Sequence, residues 1–335
     1  MKIAIVGCGG IAQVHAGCID EIVPGSLCAA ADIVRERAED MTARYGGRAY
    51  DDWEVMLDNE EIDVLHICTP HYLHTPMAVR ALERGIHVFM EKPPAVSWEQ
   101  WEQLKKAEKE SDAFLGICFQ NRFNSNVRYV KKELERNAYG KILGARGIVT
   151  WHRDVPYYRD SPWRGRTATE GGGALINQGI HTLDLIQYLI GEKPVSIQAV
   201  ADNQHLQGVI QVEDTLAATI VYPDTAANLY VTTGCFADLP YLLDIFCESC
   251  RIRLEGQQLT IWDQEGIKKE VSFTEEKQLG KDYWGAGHLG CIRSFYHSVE
   301  QKLPSMGTEA AEDTVWLLLK AYESAGRHVP PCCED

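Results

Sequence analysis

Four sets of residues have the types and spacing that chemistry needs. Gly7-Cys8-Gly9-Gly10-Ile11-Ala12 follows an apolar run and opens an amphipathic one, in the pattern G-x-G-x-x-A. Gly7 permits a tight turn, Gly9 lets the backbone approach a pyrophosphate, and Ala12 is small enough for close packing of the helix that opens here, whose free N–H groups face the phosphates. Asp32 stands 20 residues after Ala12 (32 − 12). An acid there accepts from adenosine ribose hydroxyls and repels a 2′-phosphate, which favours NAD over NADP. Glu91-Lys92-Pro93-Pro94 places a lysine between an acid and two prolines, suited to moving a hydroxyl proton. In Gly171–Asp184, Asn177, His181 and Asp184 are spaced i, i+4, i+7, which on an α-helix puts them on one face. His181 has the pKa range to take a proton at neutral pH, and the three glycines Gly171–Gly173 would let something approach it. A surface ion pair is the bland alternative for Lys92, and a satisfied core histidine for His181.

Other sets carry less. Cys247-x-x-Cys250 has no second pair to complete a zinc site, so no metal is expected. Cys332-Cys333 falls in a polar tail after two prolines. His71 and His74 lie in a segment, Thr69-Pro70 onward, that reads as a loop near the cofactor. His288 closes Tyr283–His288, which opens a helix, and is a second-rank site residue with capping or packing as its alternative.

The elements that must position these residues fall into two groups. Up to about residue 120, strands at 2–6, 27–31, 63–68, 87–90 and 114–118 alternate with helices near 11–22, 34–45, 77–84 and 98–111. That alternation predicts a doubly wound parallel sheet. Beyond it, strands at 142–151, 195–202, 215–222, 227–234, 241–247, 251–255, 259–263 and 268–273 predict a large, mostly antiparallel open sheet. Helices near 174–190, 286–299 and 308–324 accompany it. The fold class is α/β, with a dinucleotide-binding domain at 1–122 and a substrate-binding and oligomerisation domain at 123–335.

Composition sets the outer limits. At 335 residues the chain can bury a core without disulfides. Its formal charge of −15 argues against nucleic acid and anionic membrane as partners. No apolar run is long enough to span a bilayer, and Met1–Val6 is too short for a signal peptide and reads as a strand. Eleven dispersed cysteines, an odd number, predict reduced thiols in the cytoplasm.

Taken together, Gly7–Ala12, Asp32, Thr69–His74, Glu91-Lys92-Pro93, Gln120–Phe123, Gly171–Asp184 and Ala321–Ser324 resemble the Gfo/Idh/MocA oxidoreductase family, which includes glucose–fructose oxidoreductase and inositol dehydrogenase. The resemblance implies a Rossmann domain, an open-sheet second domain used for homodimer or homotetramer contacts, and hydride transfer between NAD and a hydroxyl of a sugar, cyclitol or sugar nucleotide. It implies Lys92 and His181 as the catalytic pair, with Asn177 where many members carry Asp. An amide exchanges no proton, so Asn177 can only orient. Gly7, Gly9, Gly10, Ile11, Ala12, Asp32, Thr69, Pro70, His74, Glu91 and Lys92 are the expected cofactor contacts. Trp163-Arg164-Gly165 is similar to the branch that acts on nucleotide-linked amino-sugar uronates. Arg122, Arg153, Tyr158, Trp163, Arg164, Asp184 and His288 are the expected substrate contacts. An NAD-dependent glycosidase of the same fold and a non-catalytic NAD- or sugar-sensing regulator are the alternatives.

Overall fold

A computed structural model describes residues 1–273, 286–304 and 306–327. The C-terminal cysteine pair and Tyr283–Gly285 lie outside them. The chain divides into two compact units, one of Met1–Gln120 with Lys277–Glu312, the other of Asn121–Glu276 with Asp313–Asp335. A single boundary near residue 122 therefore does not describe it, because the described residues 286–304 and 306–312 group with the first unit.

The first unit is built on strands β1 (Ile3–Val6), β2 (Leu27–Ala31), β3 (Arg48–Tyr50), β4 (Val64–Ile67), β5 (His87–Glu91) and β6 (Leu115–Cys118). All pair in parallel, in the order β3-β2-β1-β4-β5-β6. β1 and β4 are buried along their whole length, as strands covered on both faces must be. The order reverses between β1 and β4, and ligands dock outside the carboxyl ends of strands at such a point. Helices α1 (Gly10–Ile22), α2 (Arg35–Tyr45), α3 (Trp53–Asn59), α4 (His71–Glu83) and α5 (Trp98–Glu110) connect the strands. The later helix Gly287–Gln301 packs here through Phe295, whose ring lies 5.2 Å from that of Phe89.

Three features depart from expectation. β3 and α3 have no counterpart in the sequence reading: β3 is three residues long and half-exposed, so it shows no apolar run. Asp52 caps α3 by accepting from the Glu54 and Val55 N–H groups. Third, Thr69–His74 is not all loop, because α4 begins at His71 and carries Pro76 inside it. Proline has no N–H for the Tyr72 carbonyl, and the Gln100 Nε2–H group donates to that oxygen instead at 3.4 Å.

The second unit opens with α6 (Ser125–Glu135), β7 (Ile142–Thr150), α7 (Val155–Arg159), α8 (Thr167–Glu170) and α9 (Ile180–Ile190). The strands that follow are β8 (Ser196–Asp202), β9 (Thr215–Val221), β10 (Ala226–Thr232), β11 (Leu242–Cys247), β12 (Cys250–Glu255), β13 (Gln258–Asp263) and β14 (Lys268–Val271). They form one sheet in the order β14-β13-β12-β11-β7-β10-β9-β8, in which only β7 and β10 pair in parallel among the described residues. β8, β9 and β10 alternate buried with exposed residues, so one face is core and the other open. α9 lies on the core face, close enough that a Cβ on Gly147 would meet Thr182 Cγ2 at 2.6 Å.

β11 carries a fully buried carboxylate, Asp244. It accepts from Arg146 Nε at 2.7 Å, Arg251 Nε at 3.1 Å and Arg253 Nε at 2.8 Å, which staples β7, β11 and β12 side by side. Burial pushes the carboxyl up, but the three guanidiniums outweigh it and hold it below its ordinary value. Asp244→Ala should cost about 2 kcal/mol, a buried-pair loss discounted for the partly exposed arginines. Urea denaturation checks this, and an unchanged midpoint would show that the staple contributes nothing.

Candidate active site

The glycine loop leaves β1 with Gly7 at φ +81°. A Cβ there would also lie 2.7 Å from the Cys68 carbonyl oxygen, so the position excludes any side chain. Gly9 caps α1 without a side-chain acceptor, which leaves the first-turn N–H groups for a ligand. A Cβ at Gly9 or Gly10 would meet nothing within 4 Å, so the space over this helix end is open. Ile11 and Ala12 form the first turn behind it, with Ala12 fully buried. Asp32 turns its carboxylate to the loop: Oδ2 accepts from Cys8 N–H and Oδ1 from Val34 N–H, each at 2.8 Å. Burial, with the Asp32 charge, pushes the Cys8 thiol up to about 12, so it stays protonated. Open space, free N–H groups and a neighbouring carboxylate fit a dinucleotide pyrophosphate and ribose.

The loops after β4 and β5 are riveted together by α4. His74 Nδ1 lies 2.8 Å from the Pro93 carbonyl and Nε2 2.8 Å from the Thr69 carbonyl, while Thr75 Oγ1 donates to Pro94 at 2.8 Å. The expectation that His74 touches the cofactor is corrected here, since both ring nitrogens face backbone carbonyls in a buried setting. Pro70 caps α4, and the Lys92–Pro93 peptide is cis. These rivets set the position of Lys92, the first residue beyond β5, which is half-buried.

Glu91 points the other way, into the core, and is likewise no cofactor contact through its side chain. Its Oε1 lies 3.0 Å from His15 Nε2, His15 Nδ1 lies 2.9 Å from His66 Nδ1, and His66 Nε2 lies 2.7 Å from the Tyr296 hydroxyl. With tautomers assigned from these partners, the donors order themselves: Tyr296 O–H to His66, His66 N–H to His15, His15 N–H to ionised Glu91. Burial opposes the Glu91 charge, but His15, His288 and Lys92 outweigh it and hold the carboxyl well below its ordinary value. His288 belongs to this core and not to a substrate surface. Burial lowers it to about 4, against the pull of Glu91. Cys118 adds a fourth donor, so that ligand-type atoms of His15, Glu91, Cys118 and His288 lie within 4.8 Å of one another.

In the second unit the triple glycine has a different use from the one expected. A Cβ on Gly172 would collide with the Tyr322 hydroxyl, and one on Gly173 with the Glu213 carbonyl. What approaches is thus the protein itself. Glu213, fully buried, accepts from Gly173 N–H and Leu175 N–H at 3.0 Å and from the Tyr322 hydroxyl at 2.8 Å. Tyr322 in turn accepts from Ile176 N–H at 3.1 Å. The next turn, Leu175–Gly179, is π-helical, and only at Ile180 does α9 begin.

That turn winds wider than an α-helix, so the i, i+4, i+7 spacing of Asn177, His181 and Asp184 does not run along one continuous α-helix. Asn177 faces Glu170, to whose Oε1 it donates from Nδ2 at 2.7 Å. His181 sits half-buried on the first turn of α9. Asp184 is fully buried and accepts from Arg122 Nε and the Thr314 hydroxyl, each at 2.9 Å. Arg122 and Asp184 are therefore a structural pair in place of the expected substrate contacts, with the Arg122 guanidinium also 5.0 Å from the Tyr188 ring.

The expected substrate segment is split in the same way. Tyr158 is core, packed with Leu206, Ile210 and Val212. Its neighbour Tyr157 has guanidiniums close to its ring, Arg164 at 4.4 Å and Arg153 at 5.0 Å. Arg164 also stands over Trp163 at 5.2 Å, and Arg153 over Trp151 at 5.2 Å. Arg153 pairs with Asp238 at 2.7 Å, while Gln178 Nε2 reaches the Tyr157 hydroxyl at 3.5 Å. Glu170, Glu213 and Gln178 are residues that sequence reasoning missed. An acid immediately before three glycines was the one available sign of Glu170.

Fold and loop together define a two-domain protein with a dinucleotide-type Rossmann unit. The family models agree: "Oxidoreductase family, NAD-binding Rossmann fold" matches residues 1–119, and "GFO/IDH/MocA C-terminal domain" matches 127–256. The chain belongs to the Gfo/Idh/MocA family. It is 34% identical over 160 residues to levoglucosan dehydrogenase of Pseudarthrobacter phenanthrenivorans, covering 47% of this chain and 40% of that protein. It is 28% identical over 158 residues to 2,7-anhydro-N-acetylneuraminate hydratase of Mediterraneibacter gnavus, covering 47% and 41%. The chain thus spans about half the length of the curated relatives it matches. The WlbA dehydrogenase from Bordetella pertussis, solved with NADH and UDP-GlcNAcA, superposes with a TM-score of 0.80 at 27% identity, covering 97% of this chain and 96% of that one.

The His15–Glu91 bond should matter most where Glu91 is ionised. His15→Leu should cost about 2 kcal/mol at pH 7 by leaving a buried carboxylate without its donor. A depressed carboxyl stabilises the fold above its ordinary value of 4.5 and loses that contribution as pH falls below it. The gap between wild type and variant should therefore narrow between pH 5 and 3 in denaturation curves. A gap that widens on acidification would contradict the assignment.

Proposed function

We propose that this protein is an NAD-dependent dehydrogenase or reductase acting on a CH–OH group of a sugar, cyclitol or sugar nucleotide. The observation that carries the reading is the loop end of the first unit. A glycine turn with open space over a helix N-terminus follows the first strand of the parallel sheet, and a riveted lysine follows its fifth. Gly7, Gly9, Gly10, Ile11 and Ala12 would hold the pyrophosphate, and Asp32 would accept from the adenosine ribose. The bound nicotinamide supplies hydride acceptance and donation at C4. Within the first unit, Lys92 holds and passes a hydroxyl proton; within the second, His181 does the same and Asn177 orients. Arg153 and Arg164 beside Tyr157 and Trp163 supply two cations and stacking surface, which suits an anionic or nucleotide-linked sugar.

A second reading is favoured by the hydratase among the relatives. Adding water leaves a substrate's oxidation level unchanged, so any NAD in such a reaction must be restored within each turnover. Hidden redox of this kind also covers the glycosidase alternative. A homodimer or homotetramer is consistent with the open face of the β8–β10 sheet, where Val200 and Tyr230 are exposed. A cytoplasmic setting is consistent with the nine described cysteines, all free thiols. Among the described residues no helix is long and apolar enough to cross a membrane.

Absorbance at the reduced-nicotinamide band, with NAD or NADP and a panel of sugars, cyclitols, uronates and nucleotide sugars, tests the reading. A signal with NAD and one substrate class is expected. Lys92→Ala and His181→Ala should each lower kcat by about a hundredfold or more while NAD binding persists. Full activity in either variant would remove that residue from the mechanism, and failure to bind either nucleotide would overturn the proposal.

A further inference from the structure

Glu170 is the acid that the second unit buries beside its candidate site. It is 1% exposed. Oε1 accepts from Asn177 Nδ2, and Oε2 accepts from the Gly165 backbone N–H. A carboxylate has an acceptor for each of these donors; a carboxylic acid or a carboxamide can offer only one such oxygen without turning the other group away. The state of Glu170 thus decides which half of the Asn177 amide faces inward.

We propose that Glu170 is the positioning residue of this site: ionised, it holds the Asn177 amide with Nδ2 turned inward, so that Asn177 meets a substrate hydroxyl as an acceptor, and protonated, it lets the amide go. The inference rests on the dehydrogenase reading for Asn177's role, but not for the Glu170–Asn177 coupling itself. It answers what the chain does with Asn at a position where its resemblance leads one to expect Asp. An acid stands behind the amide and acts through it.

The surroundings place the switch in a usable range. Burial raises the Glu170 carboxyl to about 7, with the Glu213 charge adding to it; the Gly165 and Asn177 donors and the Arg164 charge pull the other way. Tyr157, Tyr158 and Tyr322 also feel its charge, and all three stay protonated because burial pushes their own hydroxyls up. Below about pH 7 the amide is released, and above it the amide is fixed.

The first test needs no substrate. In the full-length protein the Asn177 side-chain amide resonances, assigned by their loss in Asn177→Asp, should shift with pH around a midpoint near 7 and stay flat in Glu170→Gln. An amide that does not move between pH 5.5 and 8.5 in wild type overturns the proposal, whether or not the variant folds. The second test uses turnover. Glu170→Gln should lose roughly tenfold in kcat, keep its NAD affinity, and lose the acidic limb near pH 7 from kcat/KM. Glu170→Gln combined with Asn177→Asp reverses donor and acceptor, so activity should recover without that limb. A Glu170→Gln protein with the wild-type pH profile would contradict the proposal. A titrating amide in a protein that oxidises nothing would instead contradict the dehydrogenase reading alone.

Discussion

The first unit depends on keeping one anion ionised inside a protein. Glu91 ends the strand whose next residue is Lys92, and its side chain turns back into the core. An unpaired carboxylate there would be costly enough to protonate or to pull the strand end open. His15 prevents this from α1, the helix that the glycine loop opens. One polar bond therefore ties the element that would hold a dinucleotide to the element that presents the lysine. His66 and Tyr296 complete the line, so that each donor along it has an acceptor.

The second unit repeats the device with other acids. Glu213 gathers the N–H groups of the glycine segment and the Tyr322 hydroxyl, and so fixes where the π-turn starts. Glu170 takes the next residue with chemical potential, Asn177. Each buried acid organises backbone or an amide around itself, and rigid support of this kind is what a site needs to hold reacting groups in line. The glycines follow from that packing. Gly172 and Gly173 are small because the Tyr322 side chain and the Glu213 backbone lie against them.

Local patterns were legible in the sequence, and long-range partners were not. The Gly7–Ala12 turn, the second strand and Asp32 are close together in the chain, and their order and spacing suffice to read a Rossmann unit. The alternation of short apolar runs beyond residue 141 likewise announces an open sheet. Glu91 looked like a ligand contact because its partner His15 is 76 residues away. Arg122 and Asp184 looked like pocket residues because nothing local shows that they bond to each other. His74 looked like a ligand contact, whereas its two ring nitrogens serve two loops, and the helix expected near 77–84 starts earlier, at His71. The π-turn that holds Asn177 left no mark in the residue pattern.

The proposed reaction is transfer of hydride between a substrate carbon and nicotinamide, whether or not reduced cofactor accumulates. Isotope transfer reads this directly. The protein would be incubated with NAD and polyols or nucleotide sugars deuterated at their carbinol carbons, and the nicotinamide analysed by mass spectrometry. Deuterium is expected at nicotinamide C4 with one substrate class, even where absorbance shows no net reduction. Bound NAD that acquires no label from any of them would contradict it.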